Sequence, residues 1–278
     1  MYEIKVNNKL DLDSTLFSGQ AFRWYKKEGW YYGYINNVFL RIRKKNNYIE
    51  YENSKKTIFE LEIKNYFDLD NDYSNIFLEL NDQNASLAFQ HFEGMKVLNQ
   101  DPWECLISFI ISAWSNVPKI SRSINDLCLE LGDKQTVGAE IGYSFPSPNI
   151  ISNVNENYLR KFALGYRSKY VLATSQMLNN NLNLIYDLFN CEYDIALNEL
   201  LKFPGVGDKV ANCVLIYSLK KHFAFPVDLW VDRILVEDYK LEKKVPLVKK
   251  RKWAQNYFGK YSGIIQHFLF HYKRKYNH

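Results

Sequence analysis

The sequence predicts an α+β protein: an antiparallel β-sheet domain over residues 1–92, followed by an all-α domain over residues 93–278. Three observations carry this. Short segments that alternate apolar with polar or aromatic residues crowd the first fifty positions, punctuated by Asn36-Asn37 and Asn46-Asn47. From about residue 93 the apolar residues recur at helical spacing to the C-terminus. Hydrophobic residues make up 47% of 278 residues, enough to build a sizeable core without an internal repeat or a low-complexity run.

Taken in order, strands are expected at 3–6, 21–25, 29–35, 38–43 and 48–51, and helices at 57–67 and 72–90. Asp101 and Pro102 are placed to cap and open the next helix, since proline at the first helical position forfeits no intrahelical hydrogen bond. Residues 105–113 are apolar nearly all round, the pattern of a buried helix. That helix ends at Trp114-Ser115-Asn116, and another is expected over 118–131. Residues 138–149, with Pro146 and Pro148, read as a loop. Helices at 156–163, 168–179, 182–188 and 192–202 follow with short connections.

The segment from Glu199 to Trp230 organises the chemistry. Pro204 ends one apolar helix, because it lacks an N–H and crowds the preceding turn. Gly205 and Gly207 allow positive φ and close backbone approach. The next helix begins at once and exposes its first N–H groups at the tip, a ready site for a phosphate. The same residues also fit an ordinary tight turn between helices. Lys209 lies in the first turn of that second helix, where the macrodipole disfavours an added positive charge and so favours an amine nucleophile. A solvated charge or phosphate contact is the plainer reading. Asp228 follows Pro226-Val227 at an N-cap position. The 19 residues from Lys209 to Asp228 fit one helix and a return loop, so the two side chains can face each other.

Charge is unevenly placed. The formal total is +5, but residues 201–278 hold 16 Lys or Arg against 6 Asp or Glu. A basic C-terminal third around a phosphate clamp fits a polyanionic partner. Cys105, Cys128, Cys191 and Cys213 are scattered, with no Cys-x-x-Cys, which argues against a zinc or iron–sulfur site. Nothing reads as a signal peptide or a membrane span, so a monomer in a reducing cytoplasm, with no membrane partner, is expected.

Leu200 to Asp228 resembles the helix-hairpin-helix and downstream aspartate of the DNA base-excision glycosylases, and a lysine at 209 is similar to the bifunctional members, glycosylase and lyase at once. Ser18-Gly19-Gln20-Ala21-Phe22-Arg23-Trp24 resembles a Ser-Gly-Gln-x-Phe-Arg-Trp stretch of the 8-oxoguanine DNA glycosylases. Gly165-Tyr166-Arg167 and Gln266-His267-Phe268-Leu269-Phe270 match further stretches of that family. One branch of the superfamily carries a C-terminal four-cysteine cluster; with no cysteine after Cys213, this chain is outside it.

The resemblance implies a helix-hairpin-helix glycosylase fold for the all-α domain, and double-stranded DNA containing oxidised guanine as partner. It implies Lys209 as nucleophile, aided by Asp228. The flipped base would lie between Phe270 and Cys213, with its edge on Gln266 and its N7–H on the Gly19 carbonyl. Phe203, Gly205, Val206 and Gly207 would hold a phosphate, and the carbonyls of Leu201, Phe203 and Val206 a monovalent cation. Trp114, Asn116, Lys119, Tyr166, Arg167 and Trp230 would meet DNA. No cofactor or catalytic metal is expected. Three residues depart from the family's pattern: Trp114 replaces an Asn, Lys119 an Arg that reads the opposite cytosine, and Trp230 a His. Lysine lacks the bidentate fork, so relaxed opposite-base preference is expected. The competing readings are a monofunctional alkylated-purine glycosylase using Asp228 alone, and a non-catalytic DNA-binding protein.

Overall fold

The computed structural model describes residues 1–6, 9–54 and 59–276. Its first part is built on β1 (Tyr2–Lys5), α1 (Leu12–Leu16), β2 (Tyr25–Lys27), β3 (Trp30–Ile35), β4 (Val38–Lys45) and β5 (Tyr48–Asn53). The strands form an antiparallel sheet in the order β1-β5-β4-β3-β2. Asn36, Asn37 and Asn46 take left-handed backbone at the two hairpin turns, which asparagine tolerates, and the register follows: Ile35 opposite Val38, Lys45 opposite Tyr48. α2 (Glu60–Tyr66) covers the sheet, and Ile4, Leu16, Leu40, Ile42, Ile49, Ile63 and Phe67 form one core beneath it.

α3 (Ser74–Leu80) and α4 (Gln83–His91) follow. The expected single helix over 72–90 is thus two, because Asn81 turns left-handed and Asp82 caps α4 by accepting from Ala85 N–H at 2.8 Å. The expected start of the preceding helix at 57 lies outside the described residues. α5 (Pro102–Ser112) is capped by Asp101 and buried along nearly its whole length, as its composition requires. α6 (Val117–Leu131) is capped by Asn116, whose Oδ1 accepts from Lys119 N–H at 3.1 Å.

Two expectations fail here. Residues 21–24 are not a strand: Phe22 turns inward, edge-on to Phe109 at 5.5 Å, and Arg23 pairs with Glu104 at 3.0 Å, so packing onto α5 overrides alternation. The expected loop over 138–149 contains structure. β6 (Lys134–Val137) and β7 (Glu140–Tyr143) pair as a hairpin about Gly138, and α7 (Pro148–Ser152) starts behind a Ser147 cap. The hairpin docks on the main sheet, where Gln135 Oε1 accepts from Phe39 N–H at 2.8 Å.

The helical part continues with α8 (Glu156–Arg160), a 3₁₀ turn at Gly165–Arg167, α9 (Ser168–Asn180), α10 (Asn183–Tyr186) and α11 (Tyr193–Leu200). It ends with α12 (Asp208–Tyr217), α13 (Leu229–Glu237), α14 (Leu247–Phe258) and α15 (Ser262–Tyr276). These helices share one large core with α3, α4 and α5, and Phe77 and Phe89 of the earlier helices meet Phe268 of α15. The fold is therefore α+β, and α15 returns beside the turn that follows α1. No helix among the described residues is long and apolar enough to cross a membrane.

Candidate active site

The site begins at the turn between α11 and α12. Phe203 N–H donates to Leu200 O and Val206 N–H to Phe203 O, both at 3.1 Å, which folds the chain back on itself. Gly205 sits at φ +80° with Tyr170 packed against it; an added β-carbon would lie 2.7 Å from the Tyr170 Cβ. Thr174 donates to the Pro204 carbonyl at 3.0 Å and fixes the tip. Asp208 then opens α12, held by both carboxylate oxygens on Arg251 Nε at 3.1 Å. Thr174 and Arg251 thus brace the turn from two sides.

Gly205→Ala is expected to cost about 1–3 kcal/mol, because it combines a left-handed residue with a steric clash. Gly207→Ala, in extended backbone with open space around it, is expected to cost under about 0.5 kcal/mol. Urea unfolding of the two variants checks this; equal costs would refute it.

Lys209, Cys213 and Tyr217 recur every fourth residue on one face of α12, and that face lines a narrow pocket. The pocket is also lined by Gly19, Phe109, Pro226, Asp228, Gln266 and Phe270. Lys209 Nζ donates to Ser112 Oγ at 3.3 Å and lies 5.0 Å from the Phe109 ring centroid. Asp228 is the α13 N-cap, and its Oδ1 accepts from the N–H groups of Trp230 and Val231, each at 2.9 Å. Its side chain also lines the pocket. Burial pushes the Cys213 thiol up to about 11, so at neutral pH it is a packing surface rather than a rival nucleophile. Gln266 is buried, and its Oε1 has no hydrogen-bond partner among the described residues. Gln266 also lines the pocket.

Gly19 reaches this pocket at φ +97° because its neighbours are tied down. Gln20 is fully buried; its Nε2 donates to the Thr15 and Lys96 carbonyls and its Oε1 accepts from Leu98 N–H, all at 2.8 Å. Trp24 Nε1 donates to Tyr66 at 2.9 Å. The flanking polar and aromatic residues of this stretch are the mount, and the glycine is the part that faces the site.

Residues 3–106 match the family model for the N-terminal domain of 8-oxoguanine DNA glycosylase. The chain is 32% identical over 288 residues to N-glycosylase/DNA lyase OGG1 of Arabidopsis thaliana, covering 95% of this chain and 78% of that one. The chain belongs to the 8-oxoguanine DNA glycosylase family. The N-glycosylase/DNA lyase of Saccharomyces cerevisiae is 30% identical, over 90% of this chain and 73% of its own. The 8-oxoguanine glycosylase/lyase of Clostridium acetobutylicum, solved with double-stranded DNA containing cytosine opposite 8-oxoguanine, superposes with a TM-score of 0.91. It is 31% identical, covering 100% of this chain and 99% of its own.

Beside the pocket of this family member runs an open groove lined by Trp114, Tyr166, Arg167, Tyr170 and the Gly205–Gly207 tip. Trp114 is 85% exposed and held at φ +54°, a backbone state that bulky residues avoid. Arg167 explains how it is held. Its guanidinium is buried and donates to the carbonyls of Ala113, Trp114 and Leu164, so it builds the turn that projects the indole instead of reaching outward. Tyr166 is half exposed in front of it, with the Arg167 guanidinium 4.7 Å from its ring centroid. Asn116 and Lys119 are exposed at the start of α6, and Trp230 lies under Arg233 at 5.0 Å.

Sequence reasoning did not single out Phe109, Ser112, Tyr217, Pro226 or Arg274 for the site. Tyr217 alone left a signal, the third residue of the four-residue spacing on α12. Its hydroxyl is 3.0 Å from Nδ1 of His267, a ring that burial keeps neutral by pushing its pKa down to about 3. Of the Leu201, Phe203 and Val206 carbonyls expected to hold a monovalent cation, that of Phe203 accepts from Val206 N–H at 3.1 Å.

Proposed function

We propose that this protein is a bifunctional DNA repair enzyme that excises 8-oxoguanine from duplex DNA and then nicks the strand at the abasic sugar. One observation carries the reading: in a chain of this family, Lys209 and Asp228 line a single pocket together with Gly19, Gln266 and Phe270. The α12 N–H groups bind a phosphate of the damaged strand, and Trp114 and Tyr166 fill the stack as the damaged nucleotide leaves it. Extrusion costs a few kcal/mol and is repaid in the pocket. The base stacks on Phe270, with Gln266 on its edge and its N7–H on the Gly19 carbonyl. Undamaged guanine presents a bare lone pair there, a mismatch that is costly when buried. A monovalent cation on the tip carbonyls, when bound, would stiffen the phosphate clamp.

In the chemical step the Lys209 amine attacks C1′. The glycosidic C–N bond breaks with its electron pair on the base, which leaves after protonation. Asp228 accepts the ammonium proton and opposes positive charge on the sugar. The C1′–O4′ bond then breaks, with O4′ taking a proton, and the opened sugar is held as an iminium on Lys209; this acidifies C2′–H, and loss of that proton expels the 3′ phosphate by β-elimination. Water then releases the enzyme. An alkylated-purine glycosylase using Asp228 alone would leave Lys209 without a task in the pocket that it lines. A purely DNA-binding protein would need neither residue there.

Opposite-base selectivity is relaxed in this reading, since Lys119 is a point charge where a fork reads cytosine best and Trp114 fills space without matching hydrogen bonds. The test is borohydride trapping on duplexes that place each of the four bases opposite one 8-oxoguanine. Adduct is expected with all four, with yields within about tenfold of one another, less than one good bidentate base contact would discriminate. Trapping confined to cytosine would overturn the relaxed preference, and no adduct with any partner would overturn the lyase reading.

A further inference from the structure

The pocket is closed down as it stands. Its volume is about 40 Å³, which admits a few waters and not a purine. Phe270 forms one wall, and one turn further along α15 the Arg274 side chain lies across Gly19. A β-carbon built on Gly19 would be 2.7 Å from Arg274 Nη1. Nη2 donates to the Phe17 carbonyl at 3.0 Å, and the guanidinium carbon is 5.3 Å from the Phe270 ring centroid. The guanidinium therefore packs against Gly19, through which the first part of the chain meets the base pocket. Partial burial pulls its pKa down while Asp228 and Tyr217 hold it up, so it stands there at a desolvation cost. The tie is not what docks α15, because Lys273 pairs with Glu237 and Asp238 at 3.0 Å each. On its outer side Arg274 borders an open groove of about 410 Å³, lined with Val117, Pro118, His271 and Lys275. That groove offers room for the side chain to swing out, and a DNA phosphate entering it would draw the guanidinium with it.

We infer that Arg274 is a gate on base insertion: it holds the approach to the base pocket shut over Gly19 and must swing into the outer groove before an extruded base can seat. The inference rests on the base-pocket reading above. A gate of this kind acts only on nucleotides that carry a base. An abasic sugar can bring C1′ to Lys209 without filling the space beside Gly19. Arg274 therefore sets how fast base excision runs relative to strand nicking at abasic sites. A site that is open only part of the time works at a rate reduced by its open fraction.

Single-turnover rates of Arg274→Ala and wild type on two duplexes test this, one carrying 8-oxoguanine and one a preformed abasic site. The ratio of the excision rate to the nicking rate is expected to rise about tenfold in the variant, equivalent to about 1.4 kcal/mol of gate closure. A ratio that stays level or falls would overturn the gate and leave Arg274 as a structural tie or a base contact. Arg274→Lys keeps the stem and the charge but cannot reach Phe17 and Gly19 together. It is expected to raise the same ratio about threefold, and it carries the test if the alanine variant does not fold. Failure of wild type to nick the abasic duplex through a trapped adduct would instead strike the pocket reading itself.

Discussion

Lys209→Gln is expected to abolish the borohydride-trapped adduct and to slow 8-oxoguanine release by at least about a thousandfold, since it removes the group that forms the bond to C1′. Duplex binding should survive. The proposed phosphate clamp uses backbone N–H groups at the tip, and the replaced amine meets Ser112, Cys213 and the Phe109 ring. Folding should survive as well. Lys209 is in the first turn of α12, where a positive charge opposes the helix dipole, so its removal is expected to stabilise the helix by about 0.5 kcal/mol. The measurement is single-turnover base release, trapping and anisotropy binding on one preparation of the variant. Base release at the wild-type rate without an adduct would transfer the chemistry to Asp228 and a water molecule, and the lysine would be a spectator.

Much of this site is legible in the chain because its parts are local. The α11–α12 turn is written in Pro204, which ends α11, and in Gly205, whose left-handed backbone and contact with Tyr170 require glycine. The caps at Asp101 and Asp228 are written in residue type and position. The face of α12 follows from four-residue spacing, and Gln266 and Phe270 share a face of α15 by the same rule. What failed to show is long-range. Phe22 and Arg23 alternate like a strand, yet the core of α5 draws both inward, and no local signal reports that pull. The β6–β7 hairpin leaves little signal, because its strands are four residues each and dock on the sheet. Arg167 reads as a DNA contact by its place beside Tyr166; only the fold brings the Ala113 and Trp114 carbonyls around it. Arg274 lies beyond the last matched motif, and 257 residues of chain separate it from the Phe17 carbonyl that it meets.

Asp228→Asn isolates charge from structure. Asparagine is as good an N-cap as aspartate, and its carbonyl oxygen can keep both hydrogen bonds from Trp230 and Val231. The α13 start, and with it the wall of the pocket, should therefore stay in place, with a thermal midpoint within a few degrees of wild type. What disappears is the negative charge in the pocket that Lys209 also lines and, in the proposed mechanism, the place to put its proton. Excision is expected to fall by about a hundred- to a thousandfold, the scale for removing one preorganised electrostatic group. Single-turnover excision and borohydride trapping, measured beside a thermal melt of the same preparation, check this. A variant as fast as wild type would remove it from the chemistry and leave it as a cap.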